Sequence, residues 1–279
     1  MNAGVLRNAA VRFMFLCVVA GAAIAAEPGK ASYTLAVVPQ FRAEEIQRDW
    51  TPVLERLSVA TGASFSLRIA ADIPKFEESV LAGEPDFAYM NPYHQVMARR
   101  AQGYVPLLRD STPLKGILMV RTDNPIQSAR ELDGKEVAFP APNAFGASLW
   151  IRALLAEREK IRIVPVYVKT HSNAFRHAAT GKAAAAGGIA ATLAKEPEEL
   201  RETLRVLLET PAVAPHPLSA HPRVPEAIRR VVVDTVLAMG QDALGKPLLK
   251  DIQLPNPVRA DHARDYQPLE KYVVRSAKP

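Results

Sequence analysis

What most constrains this chain is its rhythm, in which short apolar runs alternate with helical segments along nearly the whole length. TLAVVP (34–39) reads as a buried strand. After Glu44, the residues Ile46, Trp50, Val53, Leu54 and Leu57 recur at helical spacing until Gly62 stops them. FSLRIA (65–70) alternates with period two, and Pro74 opens a helix through Leu81 that Gly83 closes. DFAYM is a strand, Pro92 starts a helix toward Gly103, and YVPLLRD and GILMVR are two more strands. From Arg121 the pattern begins again. Ser128 and Glu131 form a capping box, KEVAFP is a strand, and a helix runs from about Ala144 to Glu159. IVPVYV is a strand, Asn173 to Thr180 a short helix, AAAAGG a small-residue strand, and Glu196–Glu199 an acidic helix start. LRVLLET returns as a strand, a last helix spans Pro225 to Gly240, and a Pro-rich tail follows. Strands separated by helices predict an α/β protein with mostly parallel sheets.

The N-terminus breaks this rhythm. Arg7 and Arg12 precede an apolar run from Phe13 to Ala20, and GAAIAA follows before Glu27. That is the order of a secretory signal, with cleavage expected after Ala25 or Ala26. The apolar run is short for a membrane span. Cys17, the one cysteine of the 279 residues, lies inside it, and Met14-Phe15-Leu16 lack the small residues of a lipoprotein signal. The exported chain would therefore hold no thiol, which excludes disulfides, cysteine nucleophiles and thiolate metal sites. Without Arg7 and Arg12 the formal charge drops from +6 to +4. That excess is mild and spread out, with no basic stripe of the kind nucleic acid requires.

In α/β sheets ligands sit at the carboxyl ends of strands. Five segments fall there: Pro39-Gln40-Phe41, Asp72-Ile73-Pro74, Tyr89-Met90-Asn91-Pro92, Pro142 to Gly146, and Thr170 to Asn173. The fourth belongs to AFPAPNAFGASLW (138–150), where a strand turns through small residues into a helix. It carries neither a nucleotide P-loop nor a dinucleotide glycine turn. It reads instead as a cradle of backbone N–H groups for an anion, from Phe145, Gly146 and Ala147 after Ala144. Asn143 is expected to cap the helix, and Gly146 and Ala147 to be small where ligand and backbone approach.

The ordered set VVPQF, WTPVLERLS…TG, DFAYMNPYH, GILMVR…DNPI, GKEVAFPAPNAFGAS and THSNA resembles the phosphate/phosphite/phosphonate (PhnD-like) class of periplasmic substrate-binding proteins, from about residue 33 to 270. The resemblance implies a two-lobed type II binding protein that closes like a hinged clamp. Residues 27–120 and 210–279 would form lobe one and residues 121–209 lobe two, with the hinge near Val120 and Glu209. Phosphonate-binding relatives hold the oxyanion at a helix start rich in hydroxyls, which here reads Ala144, Phe145 and Gly146. Relatives that take an aminoalkylphosphonate place carboxylates at positions that read Ala191 and His216 here. An ammonium buried there without a counter-charge would cost several kcal/mol, which argues against such a ligand.

The candidate ligand residues are thus Gln40, Tyr89, Asn91, Asn143, Ala144, Phe145, Gly146, Ala147, His171 and His216. Tyr89 offers a hydroxyl at a strand end, or is simply a packed aromatic. Asn91 offers an amide that equally suits a helix N-cap, and Tyr93 follows it. Phe41 reads as a cleft wall, and Ser148 as a ligand or a packing residue. His171, by resemblance, meets the ligand as an N–H donor or as an imidazolium. His216 and His221 flank a Pro-containing loop whose spacing is not that of a metal site, so no metal or cofactor is expected. The leading function is capture of a small oxyanion for an ABC permease in the inner membrane. The alternative is a sensing protein that docks on a membrane histidine kinase. An enzyme is disfavoured by the lack of a nucleophile motif or a carboxylate pair. Phosphate, phosphite, alkylphosphonates, arsenic or sulfur oxyanions, and neutral or carboxylate ligands all stay open, and the protein is expected to be a monomer. The leader carries the first test. Intact mass of the protein recovered from the periplasm should correspond to a chain lacking residues 1–26, and a mass beginning at Met1 would refute the signal assignment.

Overall fold

The computed structural model describes Met1 and residues 30–270. Apart from Met1, the expected leader with its Cys17 lies outside the described residues, as does the end of the tail from 271. In the first half of the chain, strand β1 (Ser32–Val37) is followed by α1 (Ala43–Thr61), β2 (Ser64–Ile69), α2 (Ile73–Leu81), β3 (Phe87–Tyr89), α3 (Pro92–Gln102) and β4 (Val105–Asp110). Next come β5 (Gly116–Arg121), β6 (Glu136–Phe139), α4 (Trp150–Leu154), β7 (Val164–Tyr167), α5 (His171–Ala179), β8 (Ala185–Ile189), α6 (Ala190–Leu193), α7 (Glu198–Glu202) and β9 (Leu204–Glu209). The chain ends with β10 (Pro217–Ala220), α8 (Glu226–Met239), α9 (Gly245–Asp251) and β11 (Pro257–Arg259). As far as residue 270, the stretch read as a tail after Gly240 is therefore structured.

Two sheets result, in the orders β11-β4-β10-β3-β1-β2 and β7-β6-β8-β5-β9. They are mixed rather than mostly parallel. β1 pairs parallel with β2 and β3, and β6 with β7 and β8. β10 runs antiparallel to β3 and β4, β11 to β4, and β5 to β8 and β9. The antiparallel pairings arise where the chain changes lobe. After β4 it crosses to the second sheet through residues 111–115, and after β9 it returns through residues 210–216. β5 already belongs to the second sheet, so the first crossing precedes the sequence-based boundary at Val120. The two crossings touch in a short antiparallel bridge, Leu114 N–H to Val213 O at 2.8 Å and Val213 N–H to Leu114 O at 3.0 Å.

Each sheet carries its own core. Leu35, Trp50, Leu57 and Phe87 pack with Val232 and Val236 of α8 on the first, and Leu118, Val137, Phe139 and Ile151 pack on the second. A third cluster joins the lobes. Val38, Ile73 and Met90 of the first meet Ala141, Ala144, Ala147 and Ile189 of the second.

The helix predicted over 144–159 is one run wound in three pieces. α-Helical Trp150–Leu154 is flanked by wider π-helical turns over Phe145–Leu149 and Leu155–Glu159. Its first turn lies directly on the second sheet, because the strands beneath it present glycines. A Cβ on Gly187 of β8 would fall 2.1 Å from Ala147 O, and one on Gly116 of β5 would fall 2.1 Å from Gly146 O. Neither contact tolerates a methyl, since both obstacles are backbone. Gly187→Ala should therefore lower stability by about 3 kcal/mol through overpacking. Gly134→Ala, at φ +71° in open space, should cost only the left-handed penalty of about 1 kcal/mol. Equal losses in chemical denaturation of the two variants would contradict this packing.

Candidate functional site

The carboxyl ends of the parallel strands converge between the lobes. β1 ends toward Gln40, β3 toward Asn91, β6 toward Ala144, β7 toward His171, and β8 at Ile189. His216 joins them for a reason the sequence reading missed. Residues 217–220, read as loop, form β10, which runs antiparallel to β3 with Leu218 opposite Tyr89. Its amino end therefore lies beside the carboxyl end of β3. Pro217 stands at the first residue of that strand, where a proline is tolerated.

Gln40, Asn91, Ala144, Phe145, Gly146, Ala147, His171 and His216 line one cavity, with Val38, Ile73 and Ile189. No lysine, arginine or carboxylate lines it. Its volume is about 10 Å³, near the minimum for a single water. The lobes are thus drawn together over the site, and a ligand of several heavy atoms requires them to part slightly.

The cradle has the geometry expected of a helix start. Ser148 and Leu149 both donate their N–H to Ala144 O, at 2.8 and 3.2 Å. The N–H groups of Phe145, Gly146 and Ala147 precede that first turn and so have no partner within it. Ala144 is the N-cap residue and gives no side-chain cap. Asn143 does not cap this helix, contrary to expectation, and does not line the cavity. Its Nδ2 donates across the cleft to Glu77 Oε2 at 2.8 Å, and its carbonyl accepts from Asn91 Nδ2 at 3.1 Å. Asn91 has a double role, because its Oδ1 also caps α3 by accepting from His94 N–H at 2.9 Å. Burial alone would raise the Glu77 carboxyl, but hydrogen bonds from His94, Asn143 and Tyr93 outweigh it and hold the group below the usual range. Gly146 lines the cavity, and packing alone requires it to be small. A Cβ there would meet Leu114 Cδ2 at 2.6 Å and Ile189 Cγ2 at 3.0 Å, so its smallness serves packing against the crossing segment. Ser148 is fully buried, and its Oγ accepts from Arg152 Nε at 3.2 Å.

His171 is fixed in one tautomer. Thr192 has a single hydroxyl proton, and it goes to Ile189 O at 2.8 Å. At the 3.1 Å contact with His171, Thr192 Oγ1 must therefore accept from Nδ1–H. The neutral ring, which lines the cavity, then carries a lone pair at Nε2 rather than an N–H. Burial pushes the imidazole down to about 3, so the ring is neutral at physiological pH. His216 is likewise pushed down to about 3, by burial first and then by His171 and His94. Its ring stacks on Tyr89 with centroids 5.7 Å apart.

Tyr89 itself does not line the cavity. Its hydroxyl lies 3.4 Å from Gln253 O, its ring packs on Trp50 at 5.2 Å, and burial raises its phenol far above the usual range. Phe41 stands under Lys195, whose Nζ is 4.6 Å from the ring centroid. The same ammonium binds Asp49 Oδ2 at 2.9 Å and Asp251 O at 2.6 Å, a second tie across the cleft. His221 lies away from this site, with its Nδ1 accepting from Arg223 N–H. Among the described residues no group of three or more His, Cys, Asp or Glu side chains could hold a metal ion.

No curated protein matches the chain in sequence. Among solved structures, it is similar to a binding protein component of an ABC phosphonate transporter from Pseudomonas aeruginosa, with 14% identity, 88% of this chain and 87% of that one covered, and a TM-score of 0.80. It is similar to PhnD1 of Prochlorococcus marinus, solved with methylphosphonate, at 11% identity over 89% of this chain and 99% of that one, with a TM-score of 0.81. A protein from Xanthomonas citri solved with ATP follows at 15% identity, 88% and 98% coverage, and a TM-score of 0.73. At these identities the likeness establishes the two-lobed periplasmic binding fold. The family model for the ABC transporter phosphonate periplasmic substrate-binding protein matches residues 35–266. With nearly the whole described chain covered by that model, the protein belongs to the family of periplasmic substrate-binding proteins of phosphonate ABC transporters.

Proposed function

We propose that this protein captures a phosphonate or closely related phosphorus oxyanion in the periplasm and delivers it to an inner-membrane permease. The observation that carries the reading is the cavity between the lobes, lined by Phe145, Gly146 and Ala147, whose N–H groups have no partner within the first helical turn, and by Gln40, Asn91, His171 and His216, with no charged side chain among them. Backbone dipoles can hold an anion without a cation. The same clamp would serve a sensor, but the family match favours transport.

The His171 tautomer narrows the form of the ligand. A lone pair at Nε2 repels a fully ionised oxygen and accepts from a P–OH. A phosphonate monoanion supplies both an acceptor for the cradle and a donor for His171, whereas a sulfonate supplies only acceptors. Methylphosphonate should therefore bind roughly ten- to a hundredfold more tightly than methanesulfonate at pH 6.5, the worth of one hydrogen bond to a charged group. Thr192→Val removes the acceptor that fixes the tautomer and should narrow that ratio. Titration calorimetry decides it, and equal affinities for the two anions in the native protein would refute the reading. Tyr89→Phe, whose hydroxyl points away from the cavity, should leave affinity within about threefold. His216→Ala should cost roughly tenfold or more.

The buried histidines also set a pH dependence. Above pH 6.5, their ordinary value, folded and unfolded chains both hold these rings neutral. Below it the unfolded chain takes up protons that the buried rings refuse, so stability falls with pH until the buried values near 3 are reached. With both rings contributing, the loss approaches about 2.7 kcal/mol per pH unit at its steepest. Denaturation of the ligand-free protein from pH 7 to pH 5 should show it, and His171→Gln with His216→Gln should flatten the curve. An unchanged slope in that double variant would place the acid sensitivity elsewhere.

A further inference from the structure

Beyond the anion cavity lies a second and larger space that the oxyanion reading leaves unused. It holds about 370 Å³ between the two crossing segments, α6 and the turn after α9. His216 and Ile189 line both spaces, so the two meet at the His216 ring. Its walls are mostly apolar, from Leu114, Ile189, Ala191, Ala194, Pro215 and the Tyr89 ring.

The charged groups along it are largely committed within the protein. Asp110 accepts from Thr112 N–H at 2.7 Å and from Asn256 N–H at 2.7 Å. Lys195 is held by Asp49, and Lys115 pairs with Glu209 at 2.9 Å. Lys250 and Asp251 also line it, both exposed to solvent. One polar atom is left over, since the Nε2 of Gln253 is buried without a hydrogen-bond partner. A space of this size, apolar with one waiting donor, fits an organic group better than water.

Resting on the phosphonate reading above, we infer that the ligand is an organophosphonate whose uncharged alkyl or aryl substituent passes His216 and fills this chamber. The phosphorus oxygens occupy the cradle, and the carbon chain leaves along the Ile189 side. His216 lies at the passage and Ala191 on the wall. An ammonium at the passage would face alanine and an imidazole, and further in it would meet the lysines Lys115, Lys195 and Lys250 as well as Asp110 and Asp251.

Calorimetry on the exported protein with methyl-, propyl-, phenyl- and 2-aminoethylphosphonate tests this. Phenylphosphonate should bind about tenfold or more tightly than methylphosphonate, given the apolar area it buries. Propylphosphonate should bind more tightly than its near-isostere 2-aminoethylphosphonate. Ala191→Phe and Ala194→Phe, both at exposed chamber positions, should each abolish the phenyl advantage and leave methylphosphonate within about twofold, which also reports intact folding. Methylphosphonate bound as well as or better than phenylphosphonate would overturn the chamber and leave the phosphonate reading standing. So would fillings at both alanines that spare the phenyl advantage or weaken both ligands alike. Failure of all four phosphonates to bind would overturn both.

Discussion

The site depends first on a contact between two backbones. The carbonyls of Gly146 and Ala147 lie where any side chain on Gly116 and Gly187 would stand. This sinks the helix start onto the second sheet and holds its first turn, with the N–H groups that precede it, in one place. The wide first turn follows from the same constraint, because Leu149 and Ser148 share the Ala144 carbonyl instead of each closing a regular turn. An anion site made of backbone needs such a rigid seat, since its donors cannot adjust as side chains do.

Around that seat the protein places groups that are polar but uncharged. Neutral donors and acceptors carry information that a cation would blur. A lysine attracts any anion, whereas an imidazole held in one tautomer distinguishes a hydroxyl from an ionised oxygen. The chain Ile189 O, Thr192 Oγ1 and His171 Nδ1 ties the tautomer of a cavity-lining ring to a backbone carbonyl, and under the proposed function it would make binding depend on the ligand's protonation. The cost is acid sensitivity, because rings kept neutral by burial must be protonated when the chain unfolds.

Much of this was legible in the sequence, and what was missed has physical causes. Period-two and helical spacing located nearly every element up to Gly240, and strand-end logic brought eight of the ten candidate residues to one cavity. The two exceptions are instructive. Tyr89 ends a strand of which all three residues are buried, and a strand end alone does not say which way the last side chain turns. Asn143 precedes a helix start, the usual place for a cap, yet the wide turn takes Ala144 as its first acceptor and frees the amide to reach Glu77. β10 was hidden because Pro217 suggests loop, and only pairing with distant β3 and β4 makes it a strand. Propensity is local, and that pairing is not. Likewise, nothing in the spacing of Gly116 and Gly187 announces that a carbonyl rests on each.

The paired crossings have a mechanical consequence. Leu114 and Val213 exchange both of their hydrogen bonds, and above them Thr210 N–H donates to Gly116 O while Thr210 Oγ1 accepts from Gly116 N–H. The lobes are thus joined by a narrow two-stranded ribbon rather than by two independent tethers. Separate tethers would let the lobes slide, tilt and rotate, whereas a ribbon bends easily in one direction and resists shear in its own plane. A relative motion of the lobes on such a ribbon would approximate rotation about a single axis, with Pro211 and Pro215 stiffening the chain on either side of Val213. Under the proposed function, such a joint would turn occupancy into an angle between the outer faces, away from the ligand itself.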